Sequence, residues 1–371
     1  MKNVAILGTV GLPASYGGFE TLAENLVRYH QEHDIDGEIV VYCSAKTFPE
    51  RAPSYLGASL RYVNLDANGA SSVPYDILSL ISAALRGAEV ILLLGVSGAI
   101  ALPFLRLFSR ARIVTNIDGV EWKREKWKGF ARWWLRKSEY WAVRYSHEVI
   151  ADNAGIARHV AECYGRSCEV IAYGGDHAVQ ATGQAFEGEP LPPRYALALC
   201  RIEPENNVAT ILEAFAENRE LPLVFIGNWK NSDYGLALLA RFGANSGLRL
   251  LDPIYDAGVL RTIRSGAALY VHGHSAGGTN PSLVEMMHFR VPVLAFDCSF
   301  NRCTTDVRAI YFTDAASLRA AVAALSPERA EKVAAEMQRI AQERYTWDAI
   351  GHAYFKLLGL RGTVSLQPQG A

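Results

Sequence analysis

The sequence predicts an α/β protein of two Rossmann-like domains in series, facing each other across a cleft, and three observations predict it. Apolar runs of strand length alternate with helix-patterned stretches through most of the 371 residues. A glycine- and proline-bearing break interrupts that rhythm near the middle, after which the alternation begins again. The length exceeds one ordinary domain, and 50% of the residues are hydrophobic, enough for each half to bury a core.

The first half carries NVAILG (3–8), EIVVYC (38–43), EVILLL (89–94), RIVTNI (112–117) and HEVIAD (147–152). Strands alternating with helices imply βαβ units and a parallel sheet, giving an N-terminal domain over 1–175. The opening MKNVAILGTVGLPA has too short an apolar run for a signal peptide and suits a first buried strand. The candidate membrane span VILLLGVSGAIALPFL (90–105) is too short and is broken by Gly95, Ser97, Gly98 and Pro103 into a strand, a turn and a helix start. Residues 176–194 lack an apolar period and are expected to form the interdomain linker. The second domain, 195–344, repeats the pattern with YALALC (195–200), LPLVFIG (221–227), LRLL (248–251), AALYVHG (267–273) and VPVLAF (291–296). From about Ser326 the chain is helical, and YTWDAIGHAYFKLL (345–358) is a last amphipathic helix before a tail ending at 371.

Composition excludes some classes of function. A net charge of −1 and a pI near 6.8 argue against a nucleic-acid protein with a wholly basic surface, so any basic patch is local. The six cysteines form no C-x-x-C pair and have no histidines at zinc spacing, so they read as reduced thiols of a cytoplasmic protein. No Ser-His-Asp order, H-E-x-x-H or acidic cluster is present, and neither a metal nor a cofactor is required.

Candidate sites follow from what stands at the strand ends. In HSAGGTNPSLVEMMH (274–288), Asn280 is a good N-cap, Pro281 suits the first helical position and Ser282 can use its hydroxyl in the open first turn. The helix is therefore expected to begin at about Pro281, on a strand–loop–helix–strand unit of the kind that holds phosphates; a capped helix with nothing bound is the plain alternative. The first βα turn, GTVGLPASYGGFETLAENL (8–26), does not match G-x-G-x-x-G, which disfavours a dinucleotide. Its Gly17 and Gly18 either offer amides to a phosphate or sugar or make a plain tight turn. In CRIEPENN (200–207), Arg201 leaves an apolar strand and calls for an anion, a diphosphate or else Glu203 or Glu205. In DPIYD (252–256), Pro253 and Ile254 either pack on a flat base or form a bare turn. Residues 119–147 hold eight Lys/Arg, three Glu and five of the seven tryptophans. That mixture suits either a helix touching anionic lipid headgroups or a solvated helix with its aromatic face in the core. Asp118 precedes it at a strand end.

With an arginine after the first strand of the second domain and a helix carrying Glu285, the chain resembles the retaining GT-B glycosyltransferases of family 4 over nearly all its length. The resemblance implies the GT-B architecture, with the last helix crossing back to the N-domain. It implies that Glu285 holds the nucleotide ribose as the second glutamate of a Glu-x7-Glu motif; Gly277 stands in place of the first. The family's lysine after the arginine is absent, with Asn206 and Asn207 in its region. GTVGLPASYGGFETLAENL, RIEPENN and HGHSAGGTNPSLVEMM together resemble the bacterial subgroup that uses dTDP-L-rhamnose. What this implies is retaining transfer of rhamnose to a lipid-diphosphate-linked sugar, for surface polysaccharide, by a cytoplasmic protein peripheral to the inner membrane face. The donor would meet His274, Gly277, Gly278, Thr279, Asn280, Ser282 and Glu285, with Arg201 stabilising the leaving diphosphate and Asp118 positioning the acceptor hydroxyl. Transfer from another nucleotide sugar, sugar-nucleotide epimerisation and a non-catalytic scaffold in glycan assembly are the open alternatives.

Overall fold

The computed structural model describes residues 2–361 apart from 15–16, 118, 121, 123–127 and 219. The chain divides into two units, one of residues 1–172 with the C-terminal segment from Trp347, the other Tyr173–Thr346.

In the first unit the strands are β1 (Asn3–Leu7), β2 (Glu38–Ser44), β3 (Ser54–Tyr55), β4 (Ala58–Val63), β5 (Val90–Leu94), β6 (Arg112–Ile117), β7 (Glu148–Ala151) and β8 (Glu169–Val170). They form one sheet in the order β3-β4-β2-β1-β5-β6-β7-β8, parallel except for the antiparallel edge β3–β4. The order reverses between β1 and β5, where Val4 pairs with Val90 and Leu7 with Leu93. β5 reads VILLL and every residue of it is buried, as a central parallel strand covered on both faces requires.

Right-handed crossovers on either side of that reversal put helices on opposite faces of the sheet. Helix Gly18–Glu32 packs against the C-terminal helix Trp347–Leu358, while Leu102–Phe108 packs beside both Ser72–Leu85 and Gly129–Tyr145. The C-terminal helix is seated closely. A Cβ on Gly351 would come within 2.4 Å of the Tyr29 ring, Tyr29 stacks on Phe355 at 5.6 Å, and buried Tyr354 accepts a 2.6 Å hydrogen bond from Asn116 Nδ2.

The second unit has a six-stranded, wholly parallel sheet of β9 (Tyr195–Leu199), β10 (Leu223–Ile226), β11 (Leu248–Leu251), β12 (Ala267–His272), β13 (Val293–Phe296) and β14 (Ile310–Phe312). Its order, β11-β10-β9-β12-β13-β14, is the doubly wound order with the reversal between β9 and β12. Residues 176–194 belong to this unit and include the short helix His177–Gln180. The Gln184 amide donates to Gly258 O at 3.1 Å, and a Cβ on Gly258 would lie 2.4 Å from Thr182 O, so this stretch is packed by its backbone on helix Ala257–Ser265. Backbone contacts leave no apolar period, which is why the sequence reads there as a linker.

Asp76 is buried on helix Ser72–Leu85, its Cβ 2.5 Å from where a Cβ on Gly98 would lie. Burial pushes its carboxyl up to about 8, with the Gly98 amide opposing part of the rise. The folded value lies above the unfolded one, so the contribution of the protonated acid is complete below about pH 4 and is lost as pH rises through about 8. Asp76→Asn keeps the shape without the titration. Thermal unfolding at pH 5 and pH 8 is expected to show the variant gaining several degrees on the natural protein at the higher pH; parallel pH profiles would exclude the burial of a neutral acid.

Candidate functional site

At the β9/β12 reversal two loops leave neighbouring strand ends, and their polar side chains tie them together. The Asn206 side chain donates to Arg201 O at 2.7 Å and meets His274 Nδ1 through its oxygen at 2.6 Å. Asn207 donates to Gly273 O at 2.8 Å, and the Ser275 amide and hydroxyl both donate to Glu205 O, at 3.0 and 2.7 Å. Gly273 is required by this approach, since a Cβ there would lie 2.1 Å from Asn206 O. From the next strand end, Asn301 Nδ2 donates to His274 O at 2.8 Å. His274 is thus buried and fixed from two sides.

Arg201 stands at the mouth of this knot. Its guanidinium is 41% exposed and reaches Glu203 only at 3.8 Å, so the ion pair with Glu203 forms but is long and open to solvent. A pair of that kind is worth under about 1 kcal/mol and leaves most of the guanidinium's donors available.

The loop after β12 runs through buried Gly277, Gly278 and Thr279 into the helix Pro281–Met287. The helix starts at Pro281, and Asn280 caps it, accepting from the Ser282 amide at 3.0 Å and the Ser282 hydroxyl at 2.7 Å. The Ser282 amide is therefore engaged by the cap. Gly277 has φ +115°, a region closed to side chains, so a glutamate in its place would strain this backbone. Behind the loop, Tyr270 OH contacts Ser282 Oγ at 3.1 Å and His272 Nδ1 at 3.2 Å. Burial, with His274 beside it, holds His272 well below the usual histidine range, so its ring is neutral.

Glu285 points back into the unit, its side chain 13% exposed. Arg264 Nη2 donates to Oε2 and His177 Nε2 lies 3.4 Å from Oε1. Burial alone would raise this carboxyl, but Arg264 and His177 outweigh it and hold it below the usual carboxylate range. Sequence reasoning named Glu285 and missed both partners. Arg264 lies 21 positions upstream on another helix, and His177 sits in the stretch read as linker.

In the first unit the loop after β1 carries Gly17, φ +127°, ahead of helix Gly18–Glu32. The helix reaches back to it: Glu20 accepts from the Val10 amide at 2.8 Å and Glu24 from the Ala14 amide at 2.6 Å. A Cβ on Gly17 would lie 1.9 Å from Glu20 Oε2. Asp118 lies outside the described residues. Within 119–147 the tryptophans divide. Trp122 donates to buried Glu139 at 3.0 Å, which also takes His159 at 2.9 Å and Tyr164 OH at 2.6 Å, whereas Trp133 is exposed. Among the described residues no group of three or more His, Cys, Asp or Glu is placed to hold a metal ion.

Comparison with known proteins gives two kinds of likeness. Residues 1–176 match a family described as "Domain of unknown function (DUF1972)". No curated protein sequence matches the chain. Among solved structures, sucrose-phosphate synthase from Thermosynechococcus elongatus superposes with a TM-score of 0.77 at 14% identity, covering 96% of this chain and 98% of that one. Anabaena HepE in complex with UDP gives 0.69 at 15% identity, over 97% and 100%. The E. coli trehalose-6-phosphate protein bound with UDP-2-fluoro glucose gives 0.69 at 11% identity, over 96% and 99%. At such identities the likeness shows the fold: an α/β chain of two Rossmann-like domains with the GT-B architecture.

The Arg264–Glu285 pair yields a stability prediction. Arg264→Met leaves a buried carboxylate with His177 alone and is expected to cost about 3–5 kcal/mol in urea unfolding. The double variant Arg264→Met/Glu285→Met should recover most of that loss, because the unpaired charge is gone. A single variant as stable as the natural protein would show that the pair does not hold the helix.

Proposed function

We propose that the chain is a retaining glycosyltransferase that moves L-rhamnose from dTDP-L-rhamnose to a lipid-diphosphate-linked sugar in bacterial surface polysaccharide synthesis. The observation that carries the transferase reading is the arrangement at the β9/β12 reversal. A half-exposed arginine and a glycine loop stand at neighbouring strand ends, with an ionised, buried glutamate on the helix that follows. Open α/β sheets bind ligands at such a reversal. UDP in HepE and UDP-2-fluoro glucose in the E. coli protein, both of similar fold, support a nucleotide sugar as ligand.

In the proposed reaction the bond between the sugar's anomeric carbon and the diphosphate breaks, and the acceptor hydroxyl bonds to the same carbon on the same face. The departing diphosphate takes the acceptor's proton. Negative charge grows on that diphosphate, and Arg201 is the donor placed to meet it, exchanging its weak contact with Glu203 for a stronger anion. Glu285 orients the ribose; because Arg264 and His177 keep it ionised, it acts as an acceptor of ribose hydroxyls. Gly277 and Gly278 leave room for the sugar, and without a carboxylate at 277 the pocket suits a 6-deoxy sugar. Thr279, Asn280 and Ser282 border the diphosphate, with the Asn280 side chain and the Ser282 amide already engaged in the cap. The rhamnosyl donor, the lipid-linked acceptor, Asp118 as acceptor-positioning group, Gly17 and Gly18 as sugar-contacting turn, and a location at the inner membrane face rest on the sequence resemblance.

Calorimetry with dTDP, UDP and GDP, each free and as sugar conjugates including dTDP-L-rhamnose, is expected to show preference for dTDP-L-rhamnose. Arg201→Ala should then lower kcat/KM by the equivalent of about 2–4 kcal/mol, the size of losing one preorganised donor. An unchanged kcat/KM removes Arg201 from the mechanism, preference for another conjugate replaces the donor, and no binding to any favours the scaffold.

A further inference from the structure

We propose that the outer face of helices Ser72–Leu85, Leu102–Phe108 and Gly129–Tyr145 docks on an anionic phospholipid bilayer, with a cavity beside Arg106 and Arg144 receiving a lipid phosphate. The proposal deepens the lipid-linked acceptor above and rests on that reading only for why a membrane is visited. The surface itself is argued from exposure and charge.

Helix Ser72–Leu85 is apolar on the side where a solvated helix is polar. Pro74, Leu78, Ile81 and Leu85 are exposed, at i, i+4, i+7 and i+11, which makes one continuous stripe, and Leu85 is 83% exposed. Its only charge, Asp76, faces inward. The neighbouring helix adds Phe104, Leu107 and Phe108, the last 87% exposed, and the third adds Phe130, Trp133 and Tyr140. Nine of the thirteen large apolar or aromatic residues exposed in the described structure lie on these three helices. Exposed side chains of this size gathered on one face mark a binding surface.

Charge selects the occupant. Every exposed charged side chain on the three helices is basic: Arg106, Arg132, Arg136, Lys137 and Arg144, with Arg86, Arg110 and Lys128 flanking their ends. The acids, Asp76 and Glu139, are buried. No carboxylate among the described residues pairs with Arg106 or Arg144. Both line a cavity of about 570 Å³ together with Tyr140, His147, Tyr164 and Arg166. Arg106 Nη1 lies 2.5 Å from His147 Nε2. Burial, then Arg106 and Arg112, holds His147 below the usual histidine range, as a site with surplus positive charge would. The Tyr164 hydroxyl is held by Glu139 and Arg166 by the Val143 and His147 carbonyls, which leaves the Arg106 and Arg144 guanidiniums and the Tyr140 hydroxyl around the recess to suit a phosphate, and apolar rings beside them suit the acyl boundary. The helices run antiparallel to their strands, so the cavity lies at the amino ends of β6 and β7, away from the β1 loop with Gly17.

Co-sedimentation of the full chain with phosphatidylcholine vesicles, with and without about one third phosphatidylglycerol, tests the proposal. Pelleting is expected with the anionic vesicles alone and should weaken as salt is raised. Phe104→Ser/Phe108→Ser and Arg106→Gln/Arg144→Gln should each weaken the apparent affinity about tenfold or more, and the first pair should leave the melting temperature and transfer to a detergent-free, short-chain acceptor unchanged. A natural protein that stays in the supernatant, or variants that pellet equally, would overturn the proposal. So would a concentration-dependent dimer abolished by Phe104→Ser/Phe108→Ser, which would make the face an interface between copies. Vesicle binding without binding of any nucleotide sugar would leave the docking surface standing and remove the transferase reading.

Discussion

A largely buried carboxylate on a seven-residue helix is the constraint around which the second unit is arranged. Glu285 costs several kcal/mol to bury as an ion unless cations meet it with good geometry. Its partners come from elsewhere in the chain, the Arg264 guanidinium from the helix before β12 and the His177 ring from the stretch before β9. The approach of that stretch is closed by Gly175, where a Cβ would lie 2.7 Å from the Glu285 amide nitrogen. Tyr345 O then accepts from the Gly175 amide at 2.7 Å and contacts His288 Nε2 at 3.0 Å. Satisfying one buried charge therefore fixes four segments of chain, and with them the glycine loop that precedes the helix.

The same economy explains position 206. Asn206 donates to the Arg201 carbonyl and meets His274, so it joins the β9 loop to the β12 loop. A lysine could donate to one of these groups but could not also accept from a histidine ring. The consequence for charge is direct. Arg201 is the cation left at the mouth of the knot, paired at 3.8 Å with Glu203. A contact that weak is readily given up to a stronger anion, whereas the Arg264 contact to Glu285 is too buried to be exchanged. One arginine is thus free to act and the other is committed to structure.

Legibility in the sequence followed how local each signal is. The ten apolar runs all became strands, and the helix start at Pro281 with its Asn280 cap was readable because cap chemistry is confined to three residues. The strands that escaped are β3, β4, β8 and β14: three have only two or three residues, and β4 is a partly exposed strand, ASLRYV, with weak alternation. In the site, Arg201 and Glu285 were legible because each stands out against an apolar segment. Arg264 and His177 were not, since nothing in an amphipathic helix or a glycine-rich stretch announces a partner far away in sequence. Glu20 and Glu24, which bind the amides of the β1 loop, stand in the first two turns of a helix, where nothing local marks an acid as a loop ligand.

The net charge of −1 conceals a segregation that composition could not show. In the first unit, carboxylates on helix Gly18–Glu32 turn back onto the loop at the carboxyl end of β1, while on the opposite face of the sheet three helices keep their acids inside and their bases outside. The segregation follows from what each acid touches. Glu139 is withdrawn by an indole, an imidazole and a phenol, and Asp76 is withdrawn by burial, protonated, against Gly98. Removing two carboxylates from a surface already rich in arginine raises its local potential without changing the charge of the chain by much. A face with that potential and an outward apolar stripe gains little from water, and nothing among the described residues covers it. The sheet order that puts these helices on one face, fixed by right-handed crossovers at β1/β5, is therefore what turns scattered residues of three helices into a single surface.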